Sequence, residues 1–285
     1  MRRPEDVKRR LGNIQQIEDI VTAMRGLAAA HSLDAQKHLA AISAHEATVA
    51  RAISQVLAYM QGSHGAGAST DAGGPHLVVV IGAAQGFAGS YNENIVDAVL
   101  GGGGANEPME FIVIGQRAIV DFDVRGLSPV WTGNMISQSG HAASLASNIV
   151  DAVFDRIRQA GAVRVTLAGT RPDARQAGIE IKQLLPFDFS RFAQAASMQR
   201  PMFNVPPSQL LEDLVEEYVF TELCQATILA FAAENDARMR AMTRARTNVD
   251  RIRQDLKLEL NQSRQEQTTT EIIELSASNA GTRAR

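Results

Sequence analysis

Cysteine is almost absent from this chain. Of 285 residues only Cys224 is one, so no internal disulfide can form and a cysteine-based zinc site is excluded, which fits a reducing compartment. Aromatic residues are also few, 5% with a single Trp, while Ala, Gln and Arg crowd both ends. That balance suits long helices and not a β-sandwich. An excess of positive charge is missing: the net charge is −3 and the pI is near 6.1, so there is no basic footprint for a nucleic-acid backbone. No apolar run reaches the ~18 residues of a membrane span, and no apolar stretch follows Met1-Arg2-Arg3-Pro4-Glu5-Asp6. The expectation is a soluble, unexported chain with no nucleic-acid partner and no direct membrane span. No Gly-Lys dipeptide occurs, so there is no Walker A loop and no nucleotide cofactor is expected.

Glycine and proline are concentrated where they punctuate. Residues 61–75 form a breaker-rich linker, and Pro201, Pro206 and Pro207 interrupt the chain again before its last third. Three domains are expected: an N-terminal helix over 1–60, an α/β domain over 76–200 and a C-terminal helix over 208–285. In the middle segment, apolar runs at His76 to Ile81, Glu110 to Ile114 and Ala162 to Ala168 alternate with helical stretches at Asn92 to Leu100 and His141 to Ala160. This βαβ pattern predicts a small, mostly parallel sheet.

The first segment has a seven-residue period. Val7, Ile14, Val21, Ala28, Ala35, Ile42, Val49 and Val56 form an unbroken apolar register, position a of a heptad repeat. The companion d register is Arg10, Ile17, Met24, His31, His38, His45, Ala52 and Tyr59, apolar at its ends and polar in the middle. Pro4 suits a first turn and no proline follows before the linker, so one helix of about 58 residues, roughly 85 Å, is expected. From Ser208, a suitable N-cap, three- and four-residue apolar spacings continue to about Ser276 with no Pro or Gly until Gly281, a helix of about 69 residues. A 285-residue globule has a radius of gyration of about 19 Å, so such helices must project. With the α/β domain inserted between them they run in opposite directions. The expected fold is a long antiparallel coiled coil of N- and C-terminal helices with an inserted Rossmann-like α/β domain. The longer C-terminal helix overhangs its partner by roughly 16 Å, and Ile272, Ile273 and Leu275 on that overhang call for a surrounding partner protein.

Several motifs carry a family resemblance. Ile20-Val21-Thr22-Ala23-Met24-Arg25-Gly26-Leu27-Ala28-Ala29-Ala30-His31 followed by Ala35-Gln36 resembles the N-terminal signature of the gamma subunit of rotary F-type ATP synthases. Ala237-Arg238-Met239-Arg240-Ala241-Met242, and Asn261-Gln262-Ser263-Arg264-Gln265 through Thr269, Glu271-Ile272 and Glu274, resemble its C-terminal signature. The resemblance implies a central rotor shaft inside a ring of three alpha and three beta subunits. Its α/β domain would be bound to epsilon and to the membrane rotor ring of c subunits, at the cytoplasmic face of the bacterial inner membrane. Such a subunit is noncatalytic by itself and couples transmembrane proton or sodium flow to ATP synthesis or hydrolysis on the ring. By motif match Arg264 and Gln265 engage a beta-subunit catch loop with Thr269 and Glu271 nearby, and Met24, Arg238 and Met242 pack the shaft. Gly26, His31, Thr268 and Thr270 depart from the usual pattern, and Ala84-Gln85-Gly86-Phe87-Ala88-Gly89-Ser90-Tyr91-Asn92 lacks its Asp-Arg pair, which suggests a divergent, alternative-type branch.

The remaining polar features have plainer readings. His31, His38 and His45 stand about 10.5 Å apart on a helix, too far to share one metal, so no metal site is expected and they are read as tolerated polar seam positions. A seam weakened when crowded histidines gain charge is the minority reading. The turn from Gly82 to Gly89 is a structural strand-to-helix turn, with anion binding on its amides as the lesser alternative. Arg238, Arg240, Arg244 and Arg246 form a positive band, either a solvated face or a contact for acidic loops. Rivals from other classes are a coiled-coil scaffold and an α/β sensor with a dimerisation stalk; neither accounts for the terminal motifs.

Overall fold

Pro4 opens helix α1 (Pro4–Gln61), where its missing N–H has no helical partner to lose, and Glu5 and Asp6 face the positive end of the helix dipole. The structure is a computed structural model that describes residues 4–61, 75–102, 109–160, 164–171, 178–192 and 202–283. Most of the 61–75 linker, the end of the Gly101 to Gly104 tract, and Ala162 and Pro201 lie outside those residues. At the other end of the chain α5 (Pro207–Arg283) runs 77 residues, longer than expected, again with proline at its first position.

Between them lies a five-stranded sheet of β1 (His76–Ile81), β2 (Met109–Ile114), β3 (Trp131–Gly133), β4 (Arg164–Arg171) and β5 (Gly178–Leu185), in the order β3-β2-β1-β4-β5. The first four are parallel and β5 returns antiparallel to β4. Helices α2 (Tyr91–Gly102), α3 (Gln116–Val124) and α4 (Ala142–Ala160) supply the crossovers. Central strands are apolar throughout because both faces are covered. Leu77, Val79 and Ile81 of β1 share a core with Leu145, Ile149 and Val153 of α4, while Val78 and Val80 point the other way to Ile95 and Val99 of α2 and Phe122 of α3. α5 contributes to both cores: Leu223, Ile228 and Phe231 to the first, Ala233 and Ala237 to the second. β3, α3 and β5 were not in the sequence pattern. β3 has only three residues, and β5 sets Glu180, Lys182 and Gln183 among its few apolar side chains, with Ile181 exposed and Leu184 buried, so neither presents an apolar run.

The chain divides into two compact units, Met1–Leu27 with Met239–Arg285, and Ala28–Arg238. Burial along α1 corrects the expected seam. The a register is inward at every position: Val7, Val21, Ala28, Ala35, Val49 and Val56 are buried, and Ile14 and Ile42 partly so. Its companion is not d. Arg10, Ile17, His38, His45 and Tyr59 are exposed, with Met24, His31 and Ala52 only half-covered. Position e faces inward in its place: Leu11, Glu18, Arg25, Ser32, Leu39, Glu46, Ile53 and Met60 are all buried or half-buried. Glu18, Ser32 and Glu46 of that register find partners on α5, which is the physical reason for the shift. Glu18 accepts from Arg253 Nη1 at 2.8 Å in the first unit. In the second, Ser32 Oγ donates to Asp236 at 2.7 Å, and Glu46 accepts from Gln225 at 3.0 Å and from Tyr218 at 3.3 Å. Of the histidines, His31 and His45 meet α5 at the edge of the seam and His38 faces away from it. His45 Nε2 lies 2.8 Å from Glu217 Oε1 in an exposed pair, His38 bonds the Asp34 carbonyl at 3.1 Å, and His31 meets the Phe231 ring edge-on at 5.4 Å. The crowding by apolar or cationic neighbours that an acid-weakened seam requires is missing at His38 and His45.

Candidate functional site

In the second unit, α5 crosses the strand ends on a run of small side chains. Ala230, Ala232 and Ala233 are buried there, so the helix backbone comes close to the sheet. Tyr91, at the start of α2, sends its hydroxyl to the Ala230 carbonyl at 3.2 Å and shares a short hydrogen bond with Thr170 of β4. Burial pushes the Tyr91 phenol well above its usual range, partly countered by the Thr170 bond, with the Glu234 charge adding to the rise.

One turn further along α5 is Glu234, 3% exposed. Its two carboxylate oxygens accept from consecutive backbone amides of the turn after β1, Oε2 from Ala84 at 3.1 Å and Oε1 from Gln85 at 3.2 Å. The preceding amide, of Ala83, donates to Asn92 Oδ1 at 2.8 Å. Three successive N–H groups, the arrangement that elsewhere cradles an anion, are thus held by the chain's own oxygens. The structural reading of the Gly82 to Gly89 stretch prevails at these amides. Gly82 is required: a Cβ there would stand 2.4 Å from that of Ala118 and 2.9 Å from Asn92 Oδ1.

Arg238 completes the cluster. Its Nη2 donates to Glu234 Oε1 in a short ion pair and its Nη1 to Asn235 Oδ1 at 2.9 Å, while its Nε is buried with no hydrogen-bond partner among the described residues. Arg238 is 8% exposed, so it leaves the positive band expected of Arg238, Arg240, Arg244 and Arg246; of these Arg244 is exposed and Arg240 and Arg246 are half-buried. A second buried carboxylate on α5, Glu222, pairs with Lys182 of β5 and lies 3.8 Å from Arg191. Beside it the Tyr218 hydroxyl is raised well above its usual range, first by burial and then by Glu222. Glu234, Asn235, Glu222, Lys182 and Tyr91 were not singled out in the sequence. A carboxylate directly after the run Ala230-Phe231-Ala232-Ala233 is the signal that marks Glu234, since an ionised group there needs several donors.

In the first unit, Met242 is 5% exposed and Met24 half-buried. Arg238 belongs to the other unit. Arg264, Gln265, Thr269 and Glu271 are all exposed on one stretch of α5. Thr268 and Thr269 hydroxyls donate back to the carbonyls of Arg264 and Gln265 at 3.0 and 2.8 Å, and Gln267 donates to Glu271 at 2.9 Å. Ile272 and Ile273 beyond them are 60% and 61% exposed. Leu275 and Glu274 side chains lie outside the described residues. Among the described residues no three His, Cys, Asp or Glu side chains gather as metal ligands, and no helix is long and apolar enough to cross a membrane.

Comparison with known proteins gives a consistent result. The family model for ATP synthase matches residues 3–280. An ATP synthase gamma chain of Bdellovibrio bacteriovorus is 25% identical over 285 residues, covering 95% of this chain and 96% of that one. The ATP synthase gamma chain of Heliobacterium modesticaldum is 26% identical over 292 residues, with 95% and 96% covered. Among solved structures, a chain from the Euglena gracilis mitochondrial ATP synthase, seen with OSCP, F1 and c-ring in rotational state 3, shares the fold with a TM-score of 0.67 at 15% identity, over 99% of this chain and 95% of that one. With the match running through both long helices and the sheet between them, this chain belongs to the family of ATP synthase gamma chains.

Proposed function

We propose that the chain is the central rotor shaft of an F-type ATP synthase, turning inside a ring of alpha and beta subunits and coupling ion flow through a membrane ring of c subunits to ATP synthesis or hydrolysis. The observation that carries this reading is the pairing of α1 with α5. In the second unit, partners ascend along α1 as they descend along α5, Ser32 with Asp236, Ser43 with Gln225 and His45 with Glu217. That order supports an antiparallel coiled coil, the element that can serve as a shaft. The parallel strands β3-β2-β1-β4 support a Rossmann-like insertion, and we read the chain as three domains over 1–60, 76–200 and 208–285.

The subunit is noncatalytic by itself; its asymmetry drives neighbouring sites through their binding states. The capped turn at Ala83 to Gln85 supports this, since its amides serve the fold and not a phosphate. Arg264 and Gln265, with Thr269 and Glu271 beside them, form the catch for a beta-subunit loop, and Met24, Arg238 and Met242 pack the shaft. Epsilon and the c ring meet the α/β domain, which places the chain as a peripheral subunit on the cytoplasmic face of the bacterial inner membrane.

The test is recovery of the tagged chain from its own cells. Alpha, beta and epsilon subunits should accompany it in an assembly with ATPase activity. A chain recovered as a free dimer, with no ring subunits, would overturn the reading.

A further inference from the structure

Apolar packing holds two bodies together without fixing their angle, because the hydrophobic effect is non-directional. Hydrogen bonds to a buried charge are directional and strong. Where α5 crosses the sheet most of its contacts are apolar, Leu223, Ile228, Phe231, Ala233 and Ala237 among them, with polar contacts at Glu222 to Lys182 and at the Ala230 carbonyl to Tyr91.

Glu234 adds a directional contact of another kind, from α5 to two backbone amides of the turn after β1. Its carboxylate is 3% exposed and receives the Ala84 and Gln85 amides and the Arg238 guanidinium. The turn that donates those amides is itself rigid. Asn92 takes the Ala83 amide at 2.8 Å, Gly82 N–H donates to Ile114 O at 2.8 Å, and Arg117 N–H donates to Ala83 O at 3.1 Å, so the turn is tied to α2, β2 and α3 at once. Phe87, at the far side of the same turn, is held at φ 64° although it is not glycine. The surroundings therefore over-determine the turn. On the helix side, Arg238 and Asn235 brace Glu234 from within α5. A buried ion pair is a poor source of stability compared with apolar side chains of the same size, so its presence in a largely apolar contact points to a requirement for position.

We propose that Glu234 is a positioning residue that locks the α/β domain angularly to α5, and that through it torque passes between the sheet and the shaft. The inference rests on the rotor reading above. When the sheet is driven from outside, the load on the Ala84 and Gln85 amides is borne by one carboxylate, which Arg238 keeps aimed.

The experiment uses the assembled complex, immobilised through its ring, with a bead attached to the α/β domain at Asp151→Cys on the exposed face of α4. The native Cys224 is buried, with its thiol pushed up to about 11 by burial and then by Glu217, so the introduced thiol is labelled selectively. During ATP hydrolysis the angular spread of the bead in its dwells reports the stiffness between sheet and shaft. Glu234→Gln leaves an amide –NH2 facing a backbone donor, and the spread should widen about twofold as charge-assisted bonds are lost, with ion-driven ATP synthesis falling. The double variant Glu234→Met with Arg238→Met leaves the Ala84 and Gln85 amides without an acceptor and should melt lower with the same widening, whereas Leu223→Ala, a truncation in the apolar part of the same contact, should lower melting comparably and keep the wild-type spread. That separates the joint from stability. A wild-type bead that turns, with both Glu234 variants matching its spread, overturns the joint alone. A wild-type bead that never turns overturns the rotor reading and the joint with it.

Discussion

Ser32 Oγ donates a hydrogen bond to Asp236 Oδ1 at 2.7 Å, joining two residues 204 positions apart in the chain. Ser32 is 7% exposed and lies in the inward companion register of α1, between Arg25 and Leu39. The contact sets which face of α1 meets α5. Replacing Ser32 by Ala removes the donor while leaving the carboxylate, and should cost about 1–2 kcal/mol. Urea unfolding of the single variants and of Ser32→Ala with Asp236→Ala, taken as a double-mutant cycle, measures it; a coupling of zero would show that the pair does not hold the register.

Two glycines should respond in opposite directions to a single added methyl group. Gly26 lies within α1 with nothing within 4 Å of where a Cβ would be, so Gly26→Ala should stabilise the chain by about 0.5–1 kcal/mol through helix propensity alone. Gly82→Ala forces its new Cβ to within 2.4 Å of the Ala118 Cβ and should cost about 1–3 kcal/mol. Thermal melting of the isolated subunit compares them directly. A Gly26→Ala variant that melts normally alone but destabilises the assembled complex would reveal a close approach by a neighbouring subunit.

Stability should fall at both ends of the pH range for identifiable reasons. The bidentate bond from Arg156 holds the Glu110 carboxyl below its ordinary range, opposed by desolvation and helped by the Arg156 charge. A depressed folded value means this contribution is full above the unfolded value near 4.5 and is lost as pH falls through the folded one. Glu110→Gln should flatten that acid limb. Tyr91 is shifted the other way by burial: stability tied to its neutral hydroxyl is full below 10 and lost as pH rises through the higher folded value. Tyr91→Phe should remove that alkaline limb while lowering stability at neutral pH by about 0.5–1.5 kcal/mol for the lost hydrogen bonds. Melting temperature followed across pH for the three proteins decides both points.

The exposed stretch near the end of α5 gives the sharpest functional forecast. Arg264 and Gln265 make no cross-helix side-chain bond among the described residues, and their carbonyls are held by Thr268 and Thr269 within the helix. Arg264→Ala with Gln265→Ala should leave the subunit's melting temperature unchanged within about 0.5 kcal/mol. In the reconstituted complex, each charged hydrogen bond lost from a partner loop should cost on the order of 1.5–3 kcal/mol, seen as slowed turnover and ATP synthesis. A complex that assembles and synthesises ATP at the wild-type rate would remove these residues from the catch.

Long uninterrupted helices, the position of the strands β1, β2 and β4, and the apolar register from Val7 to Val56 were legible in the sequence, because each rests on local periodicity and on where Pro and Gly fall. So were the terminal motifs that mark the family. The second seam register was not. Counting apolar residues favours Ile17, Met24 and Ala52, whereas the fold turns Glu18, Ser32 and Glu46 inward because α5 offers Arg253, Asp236, Gln225 and Tyr218 opposite them. A polar side chain is buried only when a partner hundreds of positions away comes within hydrogen-bond distance, and no local pattern encodes that distance. The same holds at Glu234, whose carboxylate stands among alanines in sequence and among three donors in space. Periodicity determined which segments are helix and strand; only the tertiary structure decided which polar groups meet between them, since that depends on the close approach of α5 to the ends of the strands.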